Sequence, residues 1–157
     1  MVDFDPSAAP DSTRPTVTVV GAVSSPRSVR VTDLMAMRSV AVEDSTACDG
    51  EAPTSRWSGV PVGTILDRAS PRSGAGHALV RSADPEFACG FALDRLRDAL
   101  LAVCVDGDPI PADRGGPVRL IPPDADCWER VKRVSRIDVL EHPPGDADTA
   151  RELALGE

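Results

Sequence analysis

Apolar and polar residues alternate in several short runs along this chain, and most runs end at glycine, proline or a polar cluster. Alternation with a period of two is typical of strands that have one buried and one exposed face. The pattern therefore predicts a strand-rich fold. The predicted strands cover residues 16–20, 28–31, 39–48, 78–82, 87–91, 101–105, 118–121 and 134–140.

Three further segments carry apolar residues at helical spacing. Thr32 is suited to cap the first helix, because Ser and Thr hydroxyls accept backbone N–H groups at helix starts. Pro61 is suited to the first turn of the second, which covers residues 61–69. The third runs from Leu93 to Leu100. Because these helices do not alternate regularly with strands, we expect an α+β fold with a mixed-sheet or barrel-like core.

The two ends of the chain differ in composition from the middle. A chain of 157 residues is expected to form one domain. Residues 1–14 are rich in proline, serine, alanine and aspartate, which predicts a disordered lead-in. Residues 142–157 start at a pair of prolines and are expected to form a flexible tail. The predicted domain therefore covers residues 15–141.

Charge narrows the range of partners. The net charge is −8 and the pI about 4.7, so nucleic acid is an improbable partner. Lys132 is the only lysine among 17 basic residues. Such an acidic, lysine-poor composition is similar to that of proteins from salt-loving archaea, although GC-rich codon usage also replaces lysine with arginine.

The sequence offers no hydrophobic segment for a membrane. No stretch approaches the roughly 18 apolar residues that a spanning helix needs. The first residues are acidic and contain no apolar core of a secretory signal. We therefore expect a cytoplasmic protein without a membrane span.

Four widely spaced cysteines contain no C-x-x-C pair, which argues against a zinc site and against a disulfide framework. Cys48 differs from the others because it ends a predicted strand and precedes a polar loop that leads to Arg56 and Trp57. A thiol in this position is either a soft metal ligand or a small buried hydrophobe. The residues themselves leave both interpretations open.

Four stretches carry a resemblance to a known family. They are residues 17–23 with Pro26; Cys48 followed by Trp57-Ser58-Gly59-Val60-Pro61; residues 105–111 followed by 115–122; and Trp128 through Val139. In this order they resemble the molybdopterin-binding domain of the sulfite oxidase family of oxidoreductases. The resemblance covers residues 16–141.

The resemblance implies that Cys48 is the only protein ligand to molybdenum, with two further sulfurs from a pterin dithiolene. Thiolate is a soft ligand that suits such a centre, and metal binding removes the proton of the thiol. The implied activity is the transfer of an oxygen atom and two electrons to or from a small oxyanion or S-oxide. An electron-transfer partner protein is then needed, because the sequence offers no second redox centre.

The implied cofactor also carries a phosphate, and the chain has one dense basic cluster to receive it. Arg119 is expected to bind phosphate bidentately, and Lys132 to act as a point charge. Gly115 and Gly116 would let backbone amides approach the ligand closely. The cluster consists of Arg119, Arg130, Lys132, Arg133 and Arg136.

Simpler interpretations remain open for the same residues. Trp57 fits a core position as well as a cofactor contact, and Arg119 could pair with an aspartate. Gly115 and Gly116 could form a plain turn, and Lys132 could be an ordinary solvated lysine. Arg56, grouped with Cys48 as catalytic, is expected to help neutralise an anionic substrate.

The chain also departs from the family pattern. The residues before the first strand contain neither the asparagine nor the histidine that contact the pterin in family enzymes. Arg114 stands where the larger enzymes often have a histidine. The alternative is therefore a non-enzymatic binding module that retains the fold without molybdenum.

Overall fold

The computed structural model describes residues 16–44, 54–83, 87–123 and 129–144. Within these ranges the chain forms ten strands and three short helices, which confirms the α+β class. The elements, in order, are β1 (Thr16–Gly21), β2 (Arg27–Arg30), α1 (Val31–Met37), β3 (Val40–Asp44), β4 (Ser55–Pro61), α2 (Val62–Ala69), β5 (His77–Ser82), β6 (Ala88–Ala92), α3 (Leu93–Arg97), β7 (Leu100–Val105), β8 (Asp108–Pro109), β9 (Arg119–Ile121) and β10 (Val134–Leu140).

The strands form two sheets. The first has the order β2-β1-β10-β5-β6, in which β1 and β10 are parallel and the other pairs antiparallel. The first and last strands of the fold thus pair directly. The second sheet has the order β3-β4-β7, and β8 and β9 both pair with β7. β8 pairs with the end of β7 and β9 with its beginning, so β9 places Arg119 opposite Ala102.

Strand β7 is buried along its whole length, because both faces of the second sheet are covered. One face contributes Leu101 and Val103 to the main core, which also contains residues of the first sheet and of all three helices. The opposite face carries a smaller apolar cluster around Trp57, and we call it the Trp57 face. The cluster consists of Trp57, Leu100, Ala102, Val105, Ile110 and Ile121, with Val42 packed against it.

A β-bulge keeps residues of β4 and β7 on the correct faces. The pairing changes register between Ser58 and Gly59, so that Ser58 lies opposite Cys104 and Gly59 opposite Ala102. The extra residue reverses the alternation of β7 at this point. Leu100 and Val105 consequently reach the same face although their sequence separation is odd.

Two local expectations are wrong. The first helix starts at Val31, and Asp33 in its first turn accepts the amide of Arg30 at 3.3 Å, so Thr32 lies inside the helix and is not its cap. Helix α3 ends at Arg97, and Leu100 instead begins β7. Leu100 pairs with Pro61 and Ile121 across the sheet, and this strand pairing outweighs the local helical pattern there.

Several expectations concern residues outside the described ranges. They include the lead-in of residues 1–14, the position of Cys48 and the tail from residue 145 onwards. None of the helices that the described ranges contain is long and apolar enough to cross a membrane.

Gly59 offers a test of the sheet packing. A Cβ atom here would lie 1.9 Å from the carbonyl oxygen of Leu101, which is backbone and cannot move aside easily. We expect Gly59→Ala to lower the free energy of unfolding by about 3 kcal/mol or more, as overpacking does. Gly76→Ala is the matched control, because a Cβ there meets nothing within 4 Å. Denaturant unfolding with equal losses in both variants would contradict the packing.

Candidate functional site

Trp57 forms the base of the site. Its side chain is fully buried, and its ring is covered by two guanidinium groups. The Cζ atom of Arg114 lies 5.1 Å from the ring centroid and that of Arg119 lies 5.6 Å away. Cations at this distance are attracted by the face of an indole ring. The ring has no exposed surface, so it could influence a ligand only through the arginines that lie over it.

Arg119 is a buried cation with fixed orientation. Only 4% of the residue is exposed. Its Nε donates to the carbonyl oxygen of Arg130 at 3.2 Å, and its Nη1 donates to the carbonyl oxygen of Arg114 at 3.2 Å. Charge-assisted bonds to carbonyl oxygens and a stacked ring stabilise a charge that burial would otherwise disfavour.

Arg114 connects this cation to the start of β4. It ends a short 3₁₀ turn, Ala112–Arg114, and its Nη2 donates to the hydroxyl of Ser55 at 3.1 Å. Ser55 is buried and is the second described residue after the segment that contains Cys48. The first described residues after that segment therefore lie beside the two arginines.

Gly115 is required by the crowding of this turn. Its φ is +92°, and a Cβ would lie 2.7 Å from Cγ of Lys132 and 3.0 Å from Cδ of Arg119. At Gly116 a Cβ would lie 1.9 Å from the carbonyl oxygen of Ile110. Gly115 therefore lets two basic side chains approach the turn closely, and Gly116 lets the backbone of Ile110 do so.

The amides of the two glycines are hydrogen-bonded within the turn. The amide of Gly115 donates to the carbonyl oxygen of Ala112 at 3.1 Å, and that of Gly116 donates to Pro111 at 3.0 Å. The sequence could not reveal these bonds, since a turn that binds anions and a turn that closes on itself share the same glycines.

Lys132 lies over the same turn and is exposed. Partial loss of hydration lowers the pKa of its ammonium group, and the positive charges of Arg119 and Arg133 lower it further. Neither Lys132 nor Arg133 forms an ion pair within the described part of the chain. A bound anion would offset the repulsion that lowers the pKa of Lys132.

The basic cluster predicted from the sequence is divided by the fold. Arg119, Lys132 and Arg133 meet at the Gly115 turn. Arg136 instead lies on the first sheet, where its Nε donates to Asp138 at 2.6 Å. An aspartate two residues away on the same strand thus removes Arg136 from the site.

A cavity of about 420 Å³ lies along the Trp57 face. Val42, Leu100 and Ile121, which belong to or pack against the Trp57 cluster, form one part of its lining. Arg130, whose carbonyl binds Arg119, forms another part. The remaining lining residues are Val40, Glu43, Pro61, Asp98, Ala99, Pro122 and Pro123.

Arg56 does not join these residues. It is exposed and adjacent to Trp57 on β4, and neighbouring side chains of a strand point to opposite faces. Its amide donates to Oδ1 of Asp106 at 2.9 Å, and Glu43 is its cross-strand neighbour. Its charge can therefore act on the site only over a distance.

No cluster of three or more His, Cys, Asp or Glu side chains that could hold a metal ion occurs among the residues with described positions. Cys48 lies outside them. Sequence reasoning also gave no role to Arg114, which the structure places over Trp57. In the sequence, Arg114 was distinguished only by its position directly before Gly115, where the larger enzymes often have a histidine.

Gly115 and Gly107 form a matched pair for a test of the turn. Their φ angles are +92° and +91°, but a Cβ at Gly107 meets nothing within 4 Å. Both alanine variants carry the backbone strain, about 1 kcal/mol. We expect Gly115→Ala to lose more stability and to change the Trp57 fluorescence, because Lys132 and Arg119 must move. Indistinguishable unfolding curves and emission spectra for the two variants would refute the close approach.

Comparison with known proteins places this arrangement in a family. Residues 6–147 match the family described as oxidoreductase molybdopterin binding domain. The sulfane dehydrogenase SoxCD from Paracoccus pantotrophus has a similar fold, with a TM-score of 0.75 and 19% identity, over 88% of this chain and 40% of that one.

Two curated relatives are similar in sequence. The protein-methionine-sulfoxide reductase catalytic subunit MsrP of Gluconobacter oxydans is 27% identical over 151 residues, which are 82% of this chain and 48% of the relative. The NADPH nitrate reductase of Fusarium oxysporum is 28% identical over 98 residues, 57% of this chain and 11% of the relative. The chain thus spans about half the length of the first and about a tenth of the second. On the extent of the family match, the chain belongs to the oxidoreductase molybdopterin binding domain family.

Proposed function

We propose that this chain binds a molybdopterin cofactor as part of an oxidoreductase that transfers an oxygen atom to or from a small oxyanion or S-oxide. One observation supports this most directly. A chain with a net charge of −8 gathers Arg114, Arg119, Lys132 and Arg133 at one turn above a buried tryptophan. Such a concentration of positive charge fits the phosphate of the cofactor.

Arg119 and Lys132 are proposed to hold this phosphate in different ways. The guanidinium of Arg119 is planar and already oriented by two carbonyl oxygens and by Trp57. Little conformational entropy is therefore lost when it binds an anion. Lys132 is exposed and adds a mobile point charge at the rim, while Gly115 keeps both side chains close to the turn.

Cys48 is proposed as the thiolate ligand to molybdenum. Bound molybdenum would supply two-electron oxygen-atom chemistry. The support comes from the family and from Ser55, which follows the Cys48 segment in the sequence and accepts a hydrogen bond from Arg114. Cations near a cysteine favour its thiolate form.

Arg56 lies on the other side of β4 from Trp57. We therefore propose that it attracts an anionic substrate through its long-range electric field and not by direct contact. We also propose an electron-transfer protein as partner. The names of the relatives include a nitrate and a sulfoxide reductase, which support an oxyanion or S-oxide as substrate class.

Cys48→Ala tests the metal ligand. We expect protein purified from a host that makes the cofactor to contain a fixed amount of molybdenum per chain. The Cys48→Ala variant should lose most of that molybdenum. Cys104→Ala is the control, because Cys104 is a buried thiol packed on Met35. Elemental analysis and circular dichroism give the readout. Folded wild-type protein without molybdenum would contradict the proposal and favour a binding module.

Lys132→Met tests the anion site, by which we mean the proposed phosphate site formed by Arg119, Lys132 and the Gly115 turn. The pKa of Lys132 is lowered in the folded protein, so its charged form is disfavoured there relative to the unfolded chain. Removing the charge should stabilise the cofactor-free protein at neutral pH, by less than about 1 kcal/mol because the group is exposed. The gain should vanish above the ordinary pKa of 10.5.

The same substitution should weaken retention of the pterin, since a cation that faces the phosphate is lost. Unfolding from pH 7 to pH 11 and pterin content after dialysis are the two measurements. Arg72→Met, at an exposed arginine on another part of the surface, is the control. A loss of stability without any loss of pterin would argue against the proposed role of Lys132.

A further inference from the structure

Arg95 on helix α3 makes three hydrogen bonds to Pro123 and Glu129, in the described part of the chain, that the cofactor site does not explain. Its Nη1 donates to Oε2 of Glu129 at 2.7 Å, and its Nη2 donates to Oε1 at 2.8 Å. The same Nη2 donates to the carbonyl oxygen of Pro123 at 3.1 Å. Its guanidinium also lies 5.6 Å from the ring centroid of Phe91. One side chain thus holds a carboxylate in bidentate geometry and a backbone carbonyl together.

These contacts lie at both ends of one chain segment. Pro123 is the last described residue before residues 124–128, and Glu129 is the first after them. Pro123 and Arg130, the neighbour of Glu129, both line the cavity along the Trp57 face. We call Arg95, Glu129 and Pro123 the Arg95 clamp.

The clamp is connected to the anion site through the backbone. The carbonyl oxygen of Arg130 accepts a hydrogen bond from Nε of Arg119. The residues after Arg130 form hydrogen bonds to the Gly115 turn and to β9. The amide of Arg133 donates to Gly115 at 2.8 Å, and the amide of Leu120 donates to Val131 at 2.9 Å. A displacement of Glu129 would therefore be transmitted to Arg119 and Gly115 through a few hydrogen bonds.

The Arg95–Glu129 pair of the clamp is more buried than an ordinary surface ion pair. The side chain of Arg95 is 33% exposed and that of Glu129 is 16% exposed. On the same helix, Arg97 pairs with Asp67, whose side chain is 67% exposed. Water screens the second pair strongly and the first much less, and bidentate geometry adds directionality to the first.

We propose that Arg95 is a positioning residue for the cofactor: the Arg95 clamp fixes the separation of the cavity walls and keeps Arg130 against Arg119. The inference rests on the proposed function, since it assigns a support to that site. It predicts that the clamp controls how long the pterin stays bound.

The first test measures pterin release from loaded protein through the fluorescence of the free, oxidised pterin. We expect Arg95→Ala to release the pterin about 10- to 100-fold faster than wild type, as the loss of a supporting contact does in metal sites. Arg95→Lys should be intermediate, because an ammonium group cannot bind a carboxylate bidentately. Arg97→Ala, on the same helix, should match wild type.

The second test uses cofactor-free protein and hydrogen exchange. The amides of Arg133 and Val134 donate to Gly115 and Val118, so they report on the segment that the clamp holds. We expect faster exchange of these amides in Arg95→Ala than in Arg97→Ala. In a double-mutant cycle, Arg95→Ala and Glu129→Gln should be non-additive in the release rate.

The outcomes separate the two claims. Loaded wild-type protein with equal release from Arg95→Ala and Arg97→Ala overturns the inference and leaves the proposed function standing. Wild-type protein that acquires no pterin in a cofactor-producing host overturns the proposed function and the inference with it. Unchanged exchange of the two amides in Arg95→Ala also overturns the inference, because the clamp would then not hold the segment.

Discussion

The guanidinium groups of Arg114 and Arg119 both lie over the ring of a fully buried tryptophan, and the charge of the site depends on these contacts. Arg114 and Arg119 would repel each other if they were held only by the backbone. The ring of Trp57, the hydroxyl of Ser55 and the carbonyls of Arg114 and Arg130 stabilise them together. A strongly acidic chain thereby maintains one positive region.

The turn at Gly115 converts this charge into a binding geometry. A side chain at Gly115 would displace Lys132 and Arg119, so the glycine lets both approach the turn closely. Partial loss of hydration and then the positive charges of Arg119 and Arg133 lower the pKa of Lys132 at this turn.

The sequence predicted most strands, because alternation survives wherever one face of a sheet is buried. It did not predict β4, whose alternation is interrupted by a bulge at Gly59 and by Pro61. The local density of basic residues correctly indicated Arg119 and Lys132 as neighbours. The same density of basic residues also suggested Arg136 as a member of the cluster, because density alone does not show that Arg136 pairs with Asp138 on β10.

Contacts between distant segments set the rest of the site. Arg114 meets Trp57 and Ser55 across more than fifty residues, and Arg95 meets Glu129 across 34, so neither contact leaves a local signal. Cys48 lies outside the described residues, and its role stays a proposal. The cytoplasmic location and the adaptation to high salt stay predictions from composition.

The most direct measurement is a phosphorus NMR titration of the cofactor-loaded protein. A free phosphate monoester has a second pKa of about 6. If the phosphate lies against Arg119 and Lys132, its dianion is favoured and its pKa falls below that value, and Arg119→Met returns the pKa toward it. A bound phosphate that titrates like the free ester, in wild type and in Arg119→Met alike, would contradict the account.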